Sequence, residues 1–326
     1  MALFMLQVTP IGRSAGRSAT GAAAYRAGER LRDERTGELY NYSRRRDVLH
    51  KEIVLPARLA GNAPVWSADR GQLWNTAERA EIRRDARVAR EFLVSLPHEL
   101  SPDQRIVLAR TLAHEIAERY GVVVDSAVHA PRAGGDPRNF HAHLLATTRE
   151  ITAAGFGGKT GLDLGIAQRH QRGLVNSIEE FRALRARTAG LVNEALQAAQ
   201  LAVRVDHRTL AAQGIAREPQ ARLPWGAWRE EQRGLYSAVA ERVRARHRER
   251  VRGRAWALES PSAEPQFAEP RVGAEGIPAE KPGLEDIRRQ AREEWLQLRA
   301  VRGQARGQRA EHYPDLIRGR EDDLAL

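Results

Sequence analysis

His129-Ala130-Pro131-Arg132-Ala133-Gly134-Gly135-Asp136-Pro137-Arg138-Asn139-Phe140-His141-Ala142-His143 brackets a loop rich in Gly, Pro and Arg between three histidines. Apolar residues precede it from Val122 and follow it to Thr147, so two strands are predicted, Val122 to His129 and His141 to Thr147, joined by that loop. Residues two apart in a strand share a face, which sets His141 and His143 side by side, about 6 to 7 Å apart at the backbone. A hairpin brings His129 next to them. Three neutral imidazoles on one face suit a divalent metal with open coordination positions, the arrangement a Lewis-acid catalyst needs. The plain alternative is a His-x-His spacing that falls on a strand by chance.

Upstream, Ser101 to Tyr120 opens with Ser-Pro-Asp and carries Ile106, Leu108, Leu112 and Ile116 on a helical stripe that Gly121 ends. Glu91 to Leu96 reads as a strand stopped by Pro97, and His50 to Leu55 as another ending at Pro56. Between them, Pro64 to about Arg87 has helical spacing of Trp66, Leu73, Trp74, Ala77 and Ala80. At the start, Leu3 to Val8 reads as a strand, Gly12 to Ser18 as a turn, and Ala19 to Arg32 as an Ala-rich helix that Ser18 caps. Downstream a long helix is expected from Leu174 to about Gln200, then a short strand at Leu201 to Val205 and the polar segment Asp206-His207-Arg208-Thr209-Leu210. Strands separated by helices imply a mixed sheet covered by helices.

After about Pro224 the texture changes. Trp225 to Trp256 is an Arg/Glu-rich helical stretch, Glu259 to Gly283 holds five prolines, and Leu284 to Arg309 is helical again. Residues 1–217 are therefore expected to form the catalytic domain, and residues 218–326 an extension with a Pro-rich linker near 259–283.

Over 326 residues, 53 Lys+Arg outweigh 42 Asp+Glu for a net charge of +11, and all but Lys51, Lys159 and Lys281 of the basic residues are arginine. The excess is segmental: residues 1–50 and 201–250 are basic, while 101–150 are balanced. That favours a polyanionic partner, nucleic acid ahead of a membrane surface, although a bias towards Arg codons would give the same count. The absence of cysteine excludes disulfides, thiolate zinc sites and cysteine nucleophiles together. No apolar run approaches the roughly 20 residues that span a bilayer, and a cytoplasmic location is expected.

Tyr25 sits in the Ala-rich helix directly after the loop Arg13-Ser14-Ala15-Gly16-Arg17-Ser18. A phenol with a pKa near 10 is a poor nucleophile unless a cation stabilises the phenolate or the electrophile is polarised. Alone, Tyr25 reads as a core aromatic; Arg13, Ser14, Arg17 and Ser18 at a helix N-terminus would make a phosphate cradle beside it. Gly155-Phe156-Gly157-Gly158-Lys159-Thr160 imitates the end of a nucleotide-binding loop, but its first glycine would fall at Ala153, so ATP binding is not expected. Arg44-Arg45-Arg46 reads equally as a nucleic-acid patch or a solvated turn.

Taken together, Arg13 to Ala19, Ala22 to Gly28, Asp33 to Gly37, Ala89 to Phe92 with Ser95-Leu96-Pro97, the three histidines and Asp206 to Leu210 resemble the MobA/MobL (MobQ-type) plasmid mobilization relaxases over about residues 1–217. The resemblance implies a two-layer α+β fold of the HUH-endonuclease kind, an antiparallel-centred sheet covered by helices and followed here by a helical C-terminal tail. It implies strand-specific nicking at an origin of transfer, with Tyr25 as nucleophile and His129, His141 and His143 holding a divalent ion, Mg²⁺ or Mn²⁺. Glu91 matches an acidic position near the site, as proton acceptor or as a partner that orients a histidine. Arg13, Ser14, Arg17, Ser18, Arg26, His207 and Arg208 would contact DNA or its phosphates. The product would be a 5′-phosphotyrosyl adduct that the same site can rejoin without ATP. The partners implied are single-stranded or hairpin plasmid DNA at the origin, relaxosome accessory proteins and a type IV coupling protein, with no membrane insertion. Two rivals remain at this stage: an oxygenase using two histidines and Glu91 as a facial triad, which leaves Tyr25 idle, and a non-catalytic DNA-binding relaxosome accessory protein.

Overall fold

Five strands pair into one sheet in the computed structural model, which describes residues 4–259 apart from residues 133, 216, 218, 220 and 222. The elements run β1 (Leu6–Gly12), α1 (Ala19–Ala27), β2 (Arg30–Arg32), β3 (Leu39–Asn41), β4 (Val48–Val54), α2 (Arg70–Arg79), β5 (Arg87–Ser95) and α3 (Pro102–Tyr120). They continue with β6 (Val124–His129), β7 (His141–Thr147), β8 (Arg149–Thr152), β9 (Gly155–Lys159), α4 (Ile166–Gln171), α5 (Ser177–Ala198), α6 (Trp225–Gln232) and α7 (Ala238–Glu259). The described residues fall in the first of two units, 1–252, except for the end of α7.

The main sheet has the order β1-β5-β7-β6-β4, and every pair in it is antiparallel, as the family resemblance implies, whereas the alternation of strands and helices alone suggests a mixed sheet. The reason lies in the crossover. Helix α3 carries the chain from β5 to a parallel β6 but leaves a vacant position between them, and β7 returns through the histidine loop to fill it. The hairpins β2–β3 and β8–β9 stand outside this sheet.

Alternation along the strands sorts side chains into two apolar layers. Phe92, Val94, Val124, Val128, Ala142, Leu144 and Ala146 pack against Leu108, Leu112 and Ile116 of α3 and Leu184, Leu191 and Leu196 of α5. The opposite face sends Ala89, Val123 and Leu145 against Ala19 and Ala23 of α1 and Leu73, Trp74 and Ala77 of α2. Helix α2 is pinned there by polar contacts as well: the Trp74 indole donates to Asp125 at 2.9 Å and Arg70 donates to both oxygens of the same carboxylate. The start of α3 matches its sequence signal, with Ser101 and Gln104 forming a reciprocal capping box.

Several boundaries differ from expectation. Helix α1 ends at Ala27, not Arg32, because Gly28 adopts φ +61° and turns the chain into the β2–β3 hairpin. Pro64 to Arg87 is broken at Asp69, which caps α2 after a short 3-10 helix (Val65–Ala68), and β5 begins already at Arg87. The strand expected at Leu201 to Val205 is absent. Asn193 of α5 takes the role of a strand partner, its side chain donating to the Val205 carbonyl at 2.9 Å and accepting from the Val205 amide at 2.8 Å. Gly155 to Lys159 is strand β9, consistent with rejecting it as a phosphate loop. Trp225 to Trp256 is two helices separated at Gly234, which has φ +73°. The proline-rich linker and the helix expected at Leu284 to Arg309 lie outside the described residues.

Candidate active site

The early end of α1 builds this site. The last carbonyls of a helix have no partner inside it, and each must find one elsewhere. Here the Tyr25 carbonyl accepts from Arg45 Nη1 at 2.7 Å, the Arg26 carbonyl from His129 Nε2 at 2.7 Å, and the Ala27 carbonyl from Lys51 Nζ at 3.1 Å. The helix bearing Tyr25 is thereby tied to the histidine-bearing strand through the adjacent residue, Arg26.

His129 and His141 are direct partners across the β6–β7 ladder, and His143 lies two residues along the same face of β7. Ring centroids are 5.4 Å apart for His129 and His141, 4.5 Å for His129 and His143, and 5.0 Å for His141 and His143. One ring nitrogen from each lies within 4.8 Å of those of the other two. The remaining nitrogens are engaged. His141 Nδ1 donates to the Asn139 carbonyl at 2.9 Å, and His143 Nδ1 donates to Glu91 Oε1 at 2.6 Å. A carbonyl only accepts, so the protons sit on His129 Nε2 and His141 Nδ1, and the ionised Glu91 accepts the hydrogen bond of a protonated His143 Nδ1. The lone pairs lie on His129 Nδ1, which accepts a long hydrogen bond from Arg45 Nη2 at 3.4 Å, and on His141 Nε2 and His143 Nε2.

Burial dominates the electrostatics. It pushes His129 down to about 3, helped by the neighbouring His143 and Arg45 and partly opposed by the Arg26 carbonyl. His141 is lowered by burial, and in His143 burial outweighs the hydrogen bond donated to Glu91. All three are neutral near pH 7. Burial alone would raise Glu91, but hydrogen bonds from His143 and Arg26 outweigh it and hold the carboxyl at about 2. Glu91 is thus an ionised acceptor that receives both His143 Nδ1 and Arg26 Nε at 2.6 Å. These donors, in this protonation state, fit a divalent ion.

Around Tyr25, Arg132 Nη2 donates to the phenolic oxygen at 2.8 Å and the Arg45 guanidinium lies 4.0 Å from the ring centre. Tyr42 packs edge-on, 5.2 Å between centroids. Arg45 is also paired with Asp47 and places Nη2 3.4 Å from His129 Nδ1. Neither reading of Arg44-Arg45-Arg46 describes Arg45, whose charge is spent inside the site. The sequence carries no signal for Asp47 or Arg132, and marks Arg45 and Asn139 only as members of a basic run and of the histidine loop. Asn139 and Arg132 lie in the histidine loop itself, but nothing in its spacing separates Arg132 from Arg138, which pairs with Asp136.

The phosphate cradle is only half present. Arg13 is buried against Glu78 and also donates to the carbonyls of Glu78, Glu81 and Arg83, so its guanidinium has no donor to spare. Ser18 caps α1, accepting from the Gly21 amide, and donates to Asp33. These two hold the loop together, while Ser14 and Arg17 are exposed. Arg26 is turned inward to Glu91 and the Ala22 carbonyl instead of outward to a phosphate. His207 and Arg208 line a separate groove along α5 with Asn193, Arg204 and Gln213, where Arg208 is paired with Asp206. Among the described residues no helix is long and apolar enough to cross a membrane.

Comparison with known proteins places this architecture. The MobA/MobL family pattern matches residues 17–233. The chain is 38% identical over 268 residues to a mobilization protein MobL of Acidithiobacillus ferridurans, covering 76% of this chain and 67% of that protein. It is 34% identical over 246 residues to a probable conjugal transfer protein TraA of Sinorhizobium fredii, covering 69% of this chain but 21% of that longer protein. A solved structure described as the molecular basis of vancomycin resistance transfer in Staphylococcus aureus superposes with a TM-score of 0.55 at 29% identity, covering 64% of this chain and all of that one. With both the histidine strands and the Tyr25 helix inside the matched segment, the chain belongs to the MobA/MobL family.

Proposed function

We propose that this protein is a DNA relaxase that nicks one strand at a plasmid origin of transfer by tyrosine transesterification. The observation that carries this reading is the join between nucleophile and histidine cluster: Arg26, next to Tyr25, accepts the His129 proton through its carbonyl and binds Glu91, which in turn orients His143. An accessory protein that only binds DNA has no use for three clustered imidazoles tied to a tyrosine-bearing helix, and a facial-triad oxygenase has no use for that tyrosine.

Tyr25 Oη forms a bond to phosphorus in line with the leaving 3′-oxygen, giving a 5′-phosphotyrosyl strand. A divalent ion bound by His129, His141 and His143 would supply Lewis-acid neutralisation of the scissile phosphate. Glu91 acts through His143, keeping its Nε2 unprotonated, and Arg26 keeps Glu91 ionised. The phosphoester energy is conserved in the adduct, so a 3′-hydroxyl can reverse the reaction without ATP. Residues 1–217 form the nicking domain, with Ser14, Arg17, His207 and Arg208 on DNA. Residues 218–326 are an extension available to accessory proteins and a coupling protein, and the reaction takes place in the cytoplasm.

The test is incubation with Mg²⁺ or Mn²⁺ and a supercoiled plasmid carrying the origin from the chain's own replicon, stopped with detergent and protease. Relaxed circles with a blocked 5′ end, absent in Tyr25→Phe, are expected. DNA binding without nicking under either ion, with accessory proteins added, would return the chain to the accessory reading.

A further inference from the structure

The site holds three arginines against the Tyr25 helix, and they are not equivalent. Arg26 is paired with Glu91, and Arg45 with Asp47. Arg132, an exposed residue of the histidine loop, donates from Nη2 to the Tyr25 oxygen itself, 2.8 Å away. Resting on the nicking function above, we propose that Arg132 is a catalytic residue: its guanidinium holds the Tyr25 oxygen and then stabilises the charge that moves onto the non-bridging oxygens of the scissile phosphate.

The backbone supports that placement. Arg132 follows His129 by three residues. The Ala130 amide donates to the Asp47 carbonyl at 2.8 Å, Pro131 restricts the next φ, and the Gly135 amide closes a turn onto the Arg132 carbonyl at 3.0 Å, with Gly134 at φ +77°. The other end of the loop is held where the Leu96 amide donates to the Phe140 carbonyl at 2.8 Å and Arg105 stacks on the Phe140 ring at 3.7 Å. The loop therefore presents Arg132 from the same pair of strands that carries the histidines. The Arg132 charge is also felt at His141, where it adds to the lowering caused by burial.

The chemistry follows from the donor. A guanidinium cannot accept a proton, so Arg132 is not the base. Its N–H occupies one lone pair of Oη and leaves the other for phosphorus. The phenolic proton leaves to water, Oη forms the new P–O bond, the P–O3′ bond breaks with its electron pair going to O3′, and O3′ takes a proton from water. Negative charge thus passes from the phenolic oxygen to oxygens attached to the same phosphorus. A planar fork of N–H donors bound to the first is placed to follow it to the second, which a single-point ammonium does less well.

The experiment uses the full chain with Mn²⁺ and a labelled single-stranded oligonucleotide spanning the nick site mapped on its own replicon. Arg132→Ala should cut about 100-fold more slowly, the usual effect of deleting one such donor, with oligonucleotide affinity, Mn²⁺ affinity and thermal melting unchanged, and Arg132→Lys should fall between. The deciding comparison uses a methylphosphonate at the scissile position, which removes the charge of a non-bridging oxygen. If Arg132 neutralises that charge, wild type and Arg132→Ala should cut this substrate at nearly the same rate. An undiminished defect on the methylphosphonate reduces Arg132 to holding the tyrosine, and a wild-type rate for Arg132→Ala on the ordinary strand overturns the proposal while nicking stands. Failure of the wild type to cut at all overturns the nicking function and this proposal with it.

Discussion

Arg45 lays its guanidinium 4.0 Å from the ring centre of Tyr25 while holding Nη2 3.4 Å from Nδ1 of His129. One positive group thus bridges the Tyr25 ring and the one histidine whose lone pair lies on Nδ1. A cation so close to a ligand atom opposes a divalent ion, and Asp47 offsets only part of that repulsion. Arg45→Gln should bind Mn²⁺ roughly three- to tenfold more tightly by calorimetry while nicking more slowly, because the Tyr25 ring loses its stacking partner.

Glu91 is shared between His143 and Arg26, so its removal affects ligand and cation together. Glu91→Gln keeps an acceptor for His143 but leaves the Arg26 charge unmatched. Mn²⁺ affinity should fall by about 10- to 100-fold, with the far-ultraviolet spectrum unchanged.

Three imidazoles with no carboxylate among the ligands form a nitrogen donor set. Affinity should rise from Mn²⁺ to Co²⁺ to Ni²⁺, with Mg²⁺ weakest because it prefers oxygen ligands. Competition against a fluorescent chelator measures this order directly. His143→Ala should weaken all of these ions.

The histidines also make the metal-free protein acid-sensitive. His129 has a folded pKa of about 3 against an ordinary 6.5, so the unfolded state binds more protons between those values and stability falls as the pH drops through that window. His141 and His143 are lowered in the same direction. Glu91, held at about 2 against 4.5, adds a further loss below pH 4.5, where only the unfolded chain takes up its proton. Urea midpoints should therefore decline from about pH 6.5 downwards, and His129→Asn should flatten the upper part of that decline.

Arg13 and Arg17 share one loop and should behave oppositely. Arg13→Ala takes from the buried Glu78 carboxylate its closest cation, leaving it Arg35 at 3.4 Å and the Ala19 amide, and should cost about 3 kcal/mol of stability in chemical denaturation. Arg17→Ala should leave stability unchanged and weaken single-stranded DNA binding, with a smaller salt dependence.

Much of this was legible in the chain itself. Helix α3 was marked at both ends by Ser101-Pro102-Asp103 and Gly121, and β6 and β7 by their apolar runs around a Gly/Pro loop, because caps, turns and strand periodicity are local effects that neighbouring residues carry. The same period-two rule put His141 and His143 on one face, and the turn between the strands put His129 opposite. Local pattern was enough for this hairpin of histidines and the apolar faces around it. That α1 stops at Gly28, freeing the carbonyls of Tyr25, Arg26 and Ala27 for Arg45, His129 and Lys51, came from the packing of distant segments. Tertiary packing likewise turned Arg13, Ser18 and Arg26 inward and set Arg132 on the Tyr25 oxygen. Local pattern cannot choose among arginines in one chain, because each goes to whichever buried carboxylate or orphan carbonyl the assembled fold brings within reach, and desolvation then makes that pairing costly to leave.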